Sequence, residues 1–237
     1  GHRGQYTGIN GLLAFNATTG KPLWLILTRA QAMPTGVIVN GTVYWDTGDG
    51  SIYATNISSG KILWVYHYDG SGNMASLDYY HGIVIAGFSQ TYPENMSAIV
   101  GVYANNGSLA YIIKLPFATT SSAGDAVMAV WDGYLVDGIL GFQKGSLPLL
   151  SNIYSREVLI VANATTGKMI YMLNITNLTT HPSDTNNGFN PLIINGVIYL
   201  PTIAGNIMAI NITNGKVIWQ SPQLVHGWMQ NEPTYYN

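Results

Sequence analysis

Two aspartates, Asp125 and Asp137, are the residues best placed for acid–base chemistry. Asp125 lies seven residues before the pair Asp132-Gly133, and three similar pairs occur elsewhere in the chain. A carboxylate in a partly desolvated place has a raised pKa, which suits it to acid–base or nucleophilic catalysis. We predict Asp125 as the main catalytic candidate and Asp137, near the end of another strand, as the second. The alternative for Asp125 is a carboxylate that caps the turn at residues 121–124. Seven residues before the other three pairs, the sequence has Met33, Met74 and Gly188 instead of an aspartate.

Four basic side chains outside any repeated pattern are candidates for binding an anionic substrate. Arginine binds oxyanions through two parallel hydrogen bonds, and protonated histidine adds positive charge. The histidine spacing matches no metal signature, so we predict no metal site. The alternatives are arginines that pair with nearby aspartates and histidines that are ordinary surface residues. The candidates are Arg29, Arg156, His67 and His181.

The composition excludes several classes of protein. Of the 237 residues, 47% are hydrophobic and only 8% are charged, where a soluble domain has about 25% charged residues. The formal net charge is -2 and there is no basic run, which argues against a nucleic-acid partner. No apolar run is long enough to predict a membrane span. The absence of cysteine excludes thiol catalysis, disulfides and thiolate metal sites.

Nine Asn-x-Ser/Thr sequons predict a glycoprotein outside the cell or at its surface. The alternative is that asparagine, serine and threonine are simply abundant in turns. Few charged residues also mean few ion pairs to lose on acidification, so we expect an acid-stable, secreted protein of an acidophile. The sequons begin at Asn16, Asn40, Asn56, Asn95, Asn106, Asn163, Asn174, Asn177 and Asn211.

The chain contains a repeat. Five segments share a turn glycine followed four positions later by an aromatic residue. Four of them are preceded by two apolar runs joined by a short turn such as Asn40-Gly41, a strong hairpin signal. Each repeat is therefore four short strands, which is typical of a β-propeller blade. The glycine and aromatic pairs are Gly20 and Trp24, Gly60 and Trp64, Gly107 and Tyr111, Gly167 and Tyr171, and Gly215 and Trp219.

The pattern Ala-x-Asn-x-x-x-Gly-Lys-x-x-Trp resembles the repeat of the PQQ-like (quinoprotein-type) propellers. The resemblance implies an all-β propeller of four-stranded antiparallel blades, with about four complete blades and partial ones at the ends. Because such propellers usually have seven or eight blades, we expect residues 1–237 to form part of a longer propeller. The resemblance also implies that the terminal aromatics dock between neighbouring blades.

Blade topology predicts that the short turns lie on one rim and that all the long connections lie on the other. The long connections are residues 88–97, 115–124, 138–157 and 174–188. Variable loops on a rigid scaffold commonly carry the site, so we expect chemistry at that rim.

Three functions fit these features. Tetrathionate hydrolases of acidophiles are similar to PQQ-like propellers, act outside the membrane in acid and rely on an acidic residue. On this hypothesis an aspartate activates water or attacks a polythionate, and no cofactor is needed. The alternatives are a non-enzymatic glycosylated surface propeller, which binds a protein partner or assembles as a homo-oligomer, and a fragment of a PQQ-dependent dehydrogenase. Residues 1–8 resemble a blade of alcohol-oxidising dehydrogenases, but the adjacent cysteines of that family are absent. PQQ and calcium would need ligands from segments outside this chain.

Overall fold

The computed structural model describes residues 10–32, 36–68, 77–88, 98–115, 118–119, 128–142, 156–175, 190–202, 205–224 and 234. The N-terminal hairpin consists of β1 (Asn10–Phe15) and β2 (Pro22–Thr28). The first blade contains β3 (Val37–Val39), β4 (Thr42–Thr47), β5 (Ser51–Asn56) and β6 (Ile62–His67). The second blade contains β7 (Asp78–Tyr80), β8 (Ile83–Phe88), β9 (Ala98–Tyr103) and β10 (Leu109–Lys114).

The other two blades follow the same order. The third contains β11 (Ala118–Thr119), β12 (Ala129–Trp131), β13 (Tyr134–Phe142), β14 (Arg156–Asn163) and β15 (Met169–Asn174). The fourth contains β16 (Leu192–Ile194), β17 (Val197–Pro201), β18 (Ile207–Asn211) and β19 (Val217–Gln220). All strand pairs are antiparallel, which confirms the predicted all-β class of four-stranded antiparallel blades.

The turn between the first two strands of each blade has the geometry that its sequence predicts. Asn40 and Asn195 adopt φ values of 48° and 49°, and the glycines that follow are also at positive φ. His81 and Asp132 take the same conformation at the equivalent turns. Two positive φ angles in a row match the twist of a tight hairpin. This geometry sets the register of every blade.

The turn between the last two strands is held by an asparagine side chain. Asn56 Oδ1 accepts hydrogen bonds from the N–H groups of Ser58 and Ser59 at 3.1 and 2.9 Å. The neutral amide of asparagine therefore accepts the same hydrogen bonds as the aspartate that usually occupies this position in PQQ-like repeats. Asn16, Asn163 and Asn211 hold the matching turns.

The core lies between adjacent blades. Between the third and fourth blades its apolar cluster includes Val136, Leu159, Ile198, Leu200 and Ile210, all fully buried. The same layering recurs between the first and second blades and between the second and third. Stacking is thus what buries the apolar face of each sheet.

The structure corrects the prediction that residues 138–157 form a loop. β13 continues to Phe142 and β14 begins at Arg156, so both ends of this insertion are paired strand, with Gly141 opposite Arg156. Likewise β11, within the predicted connection 115–124, pairs with the end of β13. Pairing in the ladder satisfies the backbone N–H and C=O groups at both ends of this insertion. None of the described residues forms a helix that is long and apolar enough to cross a membrane.

Candidate acidic site between the second and third blades

Asp137 lies inside the protein, at a place where the other blades are apolar. It stands four residues after the turn glycine, on β13, opposite Ile160. Its side chain is 0% exposed. At this register, only the third of the four described blades has exchanged an apolar core side chain for a carboxyl group. At the same register the other three blades carry Trp45, Ala86 and Leu200.

The surroundings of Asp137 favour its protonated form. Neither carboxyl oxygen accepts a hydrogen bond of normal geometry from any residue in the described ranges. Burial, reinforced by the charge of Asp78, raises the pKa of Asp137 to about 7, and the nearby N–H of Gly138 offsets this only in part. A buried carboxylate that lacks donors is costly in its ionised form, so the group takes up a proton instead. Asp137 is therefore a neutral acid at any pH well below 7.

Asp78 is the second acidic residue of the site, and the sequence analysis missed it. It begins β7, one of its oxygens is buried, and it lies opposite Ile85. Ile85 shares an apolar cluster with Leu135, two residues before Asp137, so both carboxyl groups face the layer between the second and third blades. A comparison of strand registers could have found it, because Val37, Ala129 and Leu192 occupy its place in the other blades.

Tyr111 borders the same layer but already has a structural partner. Its hydroxyl donates a hydrogen bond to the carbonyl oxygen of Ala164 at 2.9 Å. Burial raises the pKa of Tyr111, and the charge of Asp78 raises it further. The phenol therefore stays neutral and bound, which leaves Asp137 as the proton donor of the site.

A separate polar cluster surrounds His67 on the first blade. His67 is exposed at the end of β6, and its Nδ1 lies 3.1 Å from Ser51 Oγ. Asp49 Oδ1 accepts hydrogen bonds from Thr47 Oγ1 at 2.6 Å and from the N–H of Ser51 at 3.2 Å. Burial alone would raise the pKa of Asp49, but these hydrogen bonds and the charge of His67 outweigh it and lower the pKa. This cluster stabilises the turn between β4 and β5.

The predicted site residues that the structure describes lie in or directly beside three different sheets. Arg29 is exposed just after β2, and Arg156 begins β14 on the same two-stranded ladder as Asp137. Asp125 and His181 lie outside the described residues. Of the predicted residues, Asp137 alone is described in a setting that alters its chemistry.

Most of the predicted glycosylation sites are accessible. Asn16, Asn40, Asn106 and Asn174 are exposed, and Asn56, Asn163 and Asn211 are partly exposed. Asn95 and Asn177 lie outside the described residues. Attachment of glycans at these sites stays a prediction.

Within the described ranges, no three His, Asp or Glu side chains come together in a group that could hold a metal ion. Asp78 and Asp137 contribute only two carboxyl groups. The described residues therefore offer no acidic ligand set for the calcium of a dehydrogenase, and we assign no chemical step to calcium or quinone.

Comparison with known proteins places the chain among PQQ-type repeats. The PQQ_2 family model, described as "Outer membrane protein assembly factor BamB", matches residues 5–221. The chain is 33% identical to a tetrathionate hydrolase of Acidianus ambivalens, with 100% of the chain and 45% of the relative covered. It is 28% identical to a tetrathionate hydrolase of Acidithiobacillus ferrooxidans, with 99% and 46% covered. The chain thus spans about half the length of these relatives.

A solved structure supports the fold. The quinohemoprotein alcohol dehydrogenase from Comamonas testosteroni matches with a TM-score of 0.62 at 17% identity, over 86% of this chain and 39% of that protein. At this identity the likeness shows the fold alone.

Proposed function

The chain belongs to the PQQ_2 family of BamB-like repeats, and from that premise we propose that it forms part of an extracellular, acid-active enzyme that hydrolyses polythionates such as tetrathionate. The single observation that carries the proposal is Asp137, a fully buried carboxyl group without a hydrogen-bond donor in the described structure, at an otherwise apolar register. Relatives named tetrathionate hydrolase, matched over nearly the whole chain, support the choice of substrate.

Asp137 is suited to the role of general acid. Cleavage of a polythionate by water leaves a sulfur anion, and a neutral carboxylic acid can donate a proton to it as the bond breaks. Burial, reinforced by the charge of Asp78, keeps Asp137 protonated by opposing its ionisation. In this proposal Asp125 activates the attacking water or acts as the nucleophile.

The basic residues have a different part in the proposal. Arg29, Arg156, His67 and His181 neutralise the substrate dianion, which attracts cationic side chains. Arg29 follows β2 and His67 ends β6, each the last strand of its sheet, so both lie at the rim opposite the stereotyped turns. This shared rim supports a site that takes residues from several blades.

The composition and Asp137 together support the proposed acidic environment outside the cell. Charged residues make up only 8% of the chain, so few ion pairs can be lost in acid. Asp137 carries no charge penalty at low pH, since it is already protonated there. The exposed sequons support N-linked glycans as the surface partner of the protein.

The test measures tetrathionate consumption by the purified gene product and two variants. Asp137→Asn removes the proton but keeps the shape, and we expect kcat to fall about a hundredfold or more. Asp132→Asn is the matched control, because asparagine already occupies that turn position at Asn40 and Asn195, and it should leave kcat unchanged. The wild-type rate should also fall as the pH rises through about 7, where Asp137 ionises.

Two results would contradict the proposal in different ways. A folded wild-type protein that consumes no polythionate would remove the activity and favour the non-enzymatic surface propeller. Full activity of Asp137→Asn would keep the activity but remove Asp137 as its acid.

A further inference from the structure

Asp78 lies at the edge of the layer between the second and third blades, whereas Asp137 lies inside it. Asp78 is partly exposed, although one of its carboxyl oxygens is buried. The side chain of Asp137 is 0% exposed, and both of its oxygens are buried. Asp137 can therefore exchange its proton with water only through another group or through local opening of the fold.

The strand that carries Asp78 belongs to the innermost part of the array. β7 forms one edge of its sheet and contacts β12, the equivalent strand of the third blade, and β12 contacts β16 in the same way. The residues at the register of Asp78 in the other blades are also partly exposed. Partial exposure is thus common to this register, and the second blade places an acid there. The equivalent residues are Val37, Ala129 and Leu192.

Asp78 and Asp137 stand at nearly the same level on two facing sheets. Asp78 lies opposite Ile85, the third residue after the turn glycine Gly82, and Asp137 is the fourth residue after Gly133. One residue along a strand is a step of only about 3.3 Å. Ile85 packs in the apolar cluster that the two blades share. Burial raises the pKa of Asp137 and the charge of Asp78 raises it further, as expected of neighbouring carboxyl groups.

Two tyrosines are the other titratable side chains of that cluster, and neither can replace Asp78 as a carrier of protons. Tyr80 follows Asp78 by two positions on β7, and Tyr111 lies on β10. The Tyr111 hydroxyl already donates to the carbonyl oxygen of Ala164, and burial raises its pKa. A phenol is a far weaker acid than a carboxyl group, so it does not pass a proton to a carboxylate in mild acid.

We propose that Asp78 is a proton relay, which returns a proton from solvent to Asp137 after each reaction. The inference rests on the proposed function, in which Asp137 is the general acid. Asp137 becomes a carboxylate when it gives its proton to the leaving sulfur anion. Ionised Asp78 then takes a proton from hydronium at the edge of the layer and passes it to that carboxylate. This transfer restores neutral Asp137 and ionised Asp78, and only O–H bonds are made or broken.

Asp78 is therefore a positioning residue that acts through Asp137 and does not contact the substrate. The test measures how fast the proton of Asp137 is replaced by deuterium, by rapid-mixing infrared spectroscopy of the purified gene product. At a pH of about 5, ordinary carboxyl groups are largely ionised, while Asp137 is protonated. The carbonyl stretch of a protonated carboxyl group shifts on deuteration, and the band of Asp137 is the one that Asp137→Asn removes.

We expect Asp78→Asn to slow the exchange of this band about tenfold or more, because an amide does not take up and release protons in this pH range. Asp78→Glu keeps a carboxyl group and should restore most of the rate. Asp132→Asn is the matched control on the exposed turn of the third blade and should exchange like the wild type. Asp78→Val, which copies Val37 of the first blade, is a second variant with the same expected slowing if Asp78→Asn does not fold.

The possible failures of the relay and of the proposed function are distinguishable. Exchange in Asp78→Asn as fast as in the wild type would overturn the relay. Faster exchange would overturn it too, because it would mean that Asp78 only holds the layer closed. The absence of an Asp137 band in the wild type would instead remove the neutral acid. Slower exchange in Asp78→Asn, together with no consumption of polythionate by the wild type, would keep the proton path and remove the proposed function.

Discussion

The layer between the second and third blades differs from the layer between the third and fourth, although both are built from the same repeat. The second of these contains a large apolar cluster in which Leu200 is fully buried. In the first, Asp137 occupies the register of Leu200, and Asp78 faces the same layer. The difference shows that blade stacking alone provides ample apolar burial, so one layer can carry acidic groups that stability does not require.

The largest loss of stability should come from placing an acidic residue in the layer between the third and fourth blades. Leu200→Asp removes a fully buried side chain and places a carboxyl group in an apolar cluster. We expect the free energy of unfolding to fall by about 5 kcal/mol at pH 7, from lost burial and carboxylate desolvation. Urea denaturation measures it, with Leu200→Met as the control that keeps the volume. An effect below about 1 kcal/mol would mean that this layer tolerates charge.

The second prediction concerns pH. In the folded protein the pKa of Asp137 is about 7, against an ordinary value of 3.8. From pH 4 to pH 7 the unfolded chain ionises this group while the folded protein holds it protonated, so stability falls as pH rises. The full difference is about 4 kcal/mol, reached above pH 7 and absent below pH 4.

Urea denaturation of wild type and Asp137→Asn across this pH range isolates the contribution of Asp137. The difference in unfolding free energy between the two proteins should change with pH in the direction given. If that difference stays constant from pH 4 to pH 7, Asp137 has an ordinary pKa and the contrast between the layers is lost.

The third prediction concerns the replacement of Asp137, in the layer between the second and third blades, by an apolar residue. Asp137→Leu places at this register the residue that the fourth blade uses. At pH 7 we expect the free energy of unfolding to rise by about 2 kcal/mol, because a costly buried acid becomes a packed side chain. Tetrathionate consumption should be lost in the same variant. A less stable Asp137→Leu would instead indicate a structural role for the carboxyl group.

The smallest effect should come from a feature that all the repeats share. Asn163 Oδ1 accepts hydrogen bonds from the N–H groups of Thr165 and Thr166 at 3.0 and 2.9 Å. Asn163→Ala should lower the free energy of unfolding by about 1 kcal/mol, equally at pH 4 and pH 7. Asn163→Asp, which keeps the acceptor, is the control. A change in the pH response of Asn163→Ala would show that the turns influence the acidic layer.

Most of the fold could be predicted from the sequence. Asn40-Gly41 and Asn195-Gly196 specify hairpins through backbone geometry. The turn glycines and the aromatic residues that follow them specify the contacts between neighbouring blades. The prediction was wrong for the ends of the 138–157 insertion, since strand pairing between Gly141 and Arg156 depends on a partner across the hairpin. Periodicity within one segment does not reveal such a partner.

Less of the candidate site could be predicted. Asp137 was predicted as a second candidate from its place near the end of a strand, whereas Asp78 was overlooked although its register in the repeat marks it as unusual. Asp125 and His181 lie outside the described residues, and their roles remain predictions.

The sequence by itself determined the blade: its four strands, its turns and the ring that each outer strand offers to its neighbour, because these depend on local backbone preferences repeated along the chain. Only the tertiary structure decided that Asp137, among the acidic residues that the structure describes, would become a neutral acid. That outcome depends on burial and on a second carboxyl group from another blade, 59 positions away in the chain. Desolvation and the interaction between charges depend on which groups are close in space, and positions along the chain do not reveal this.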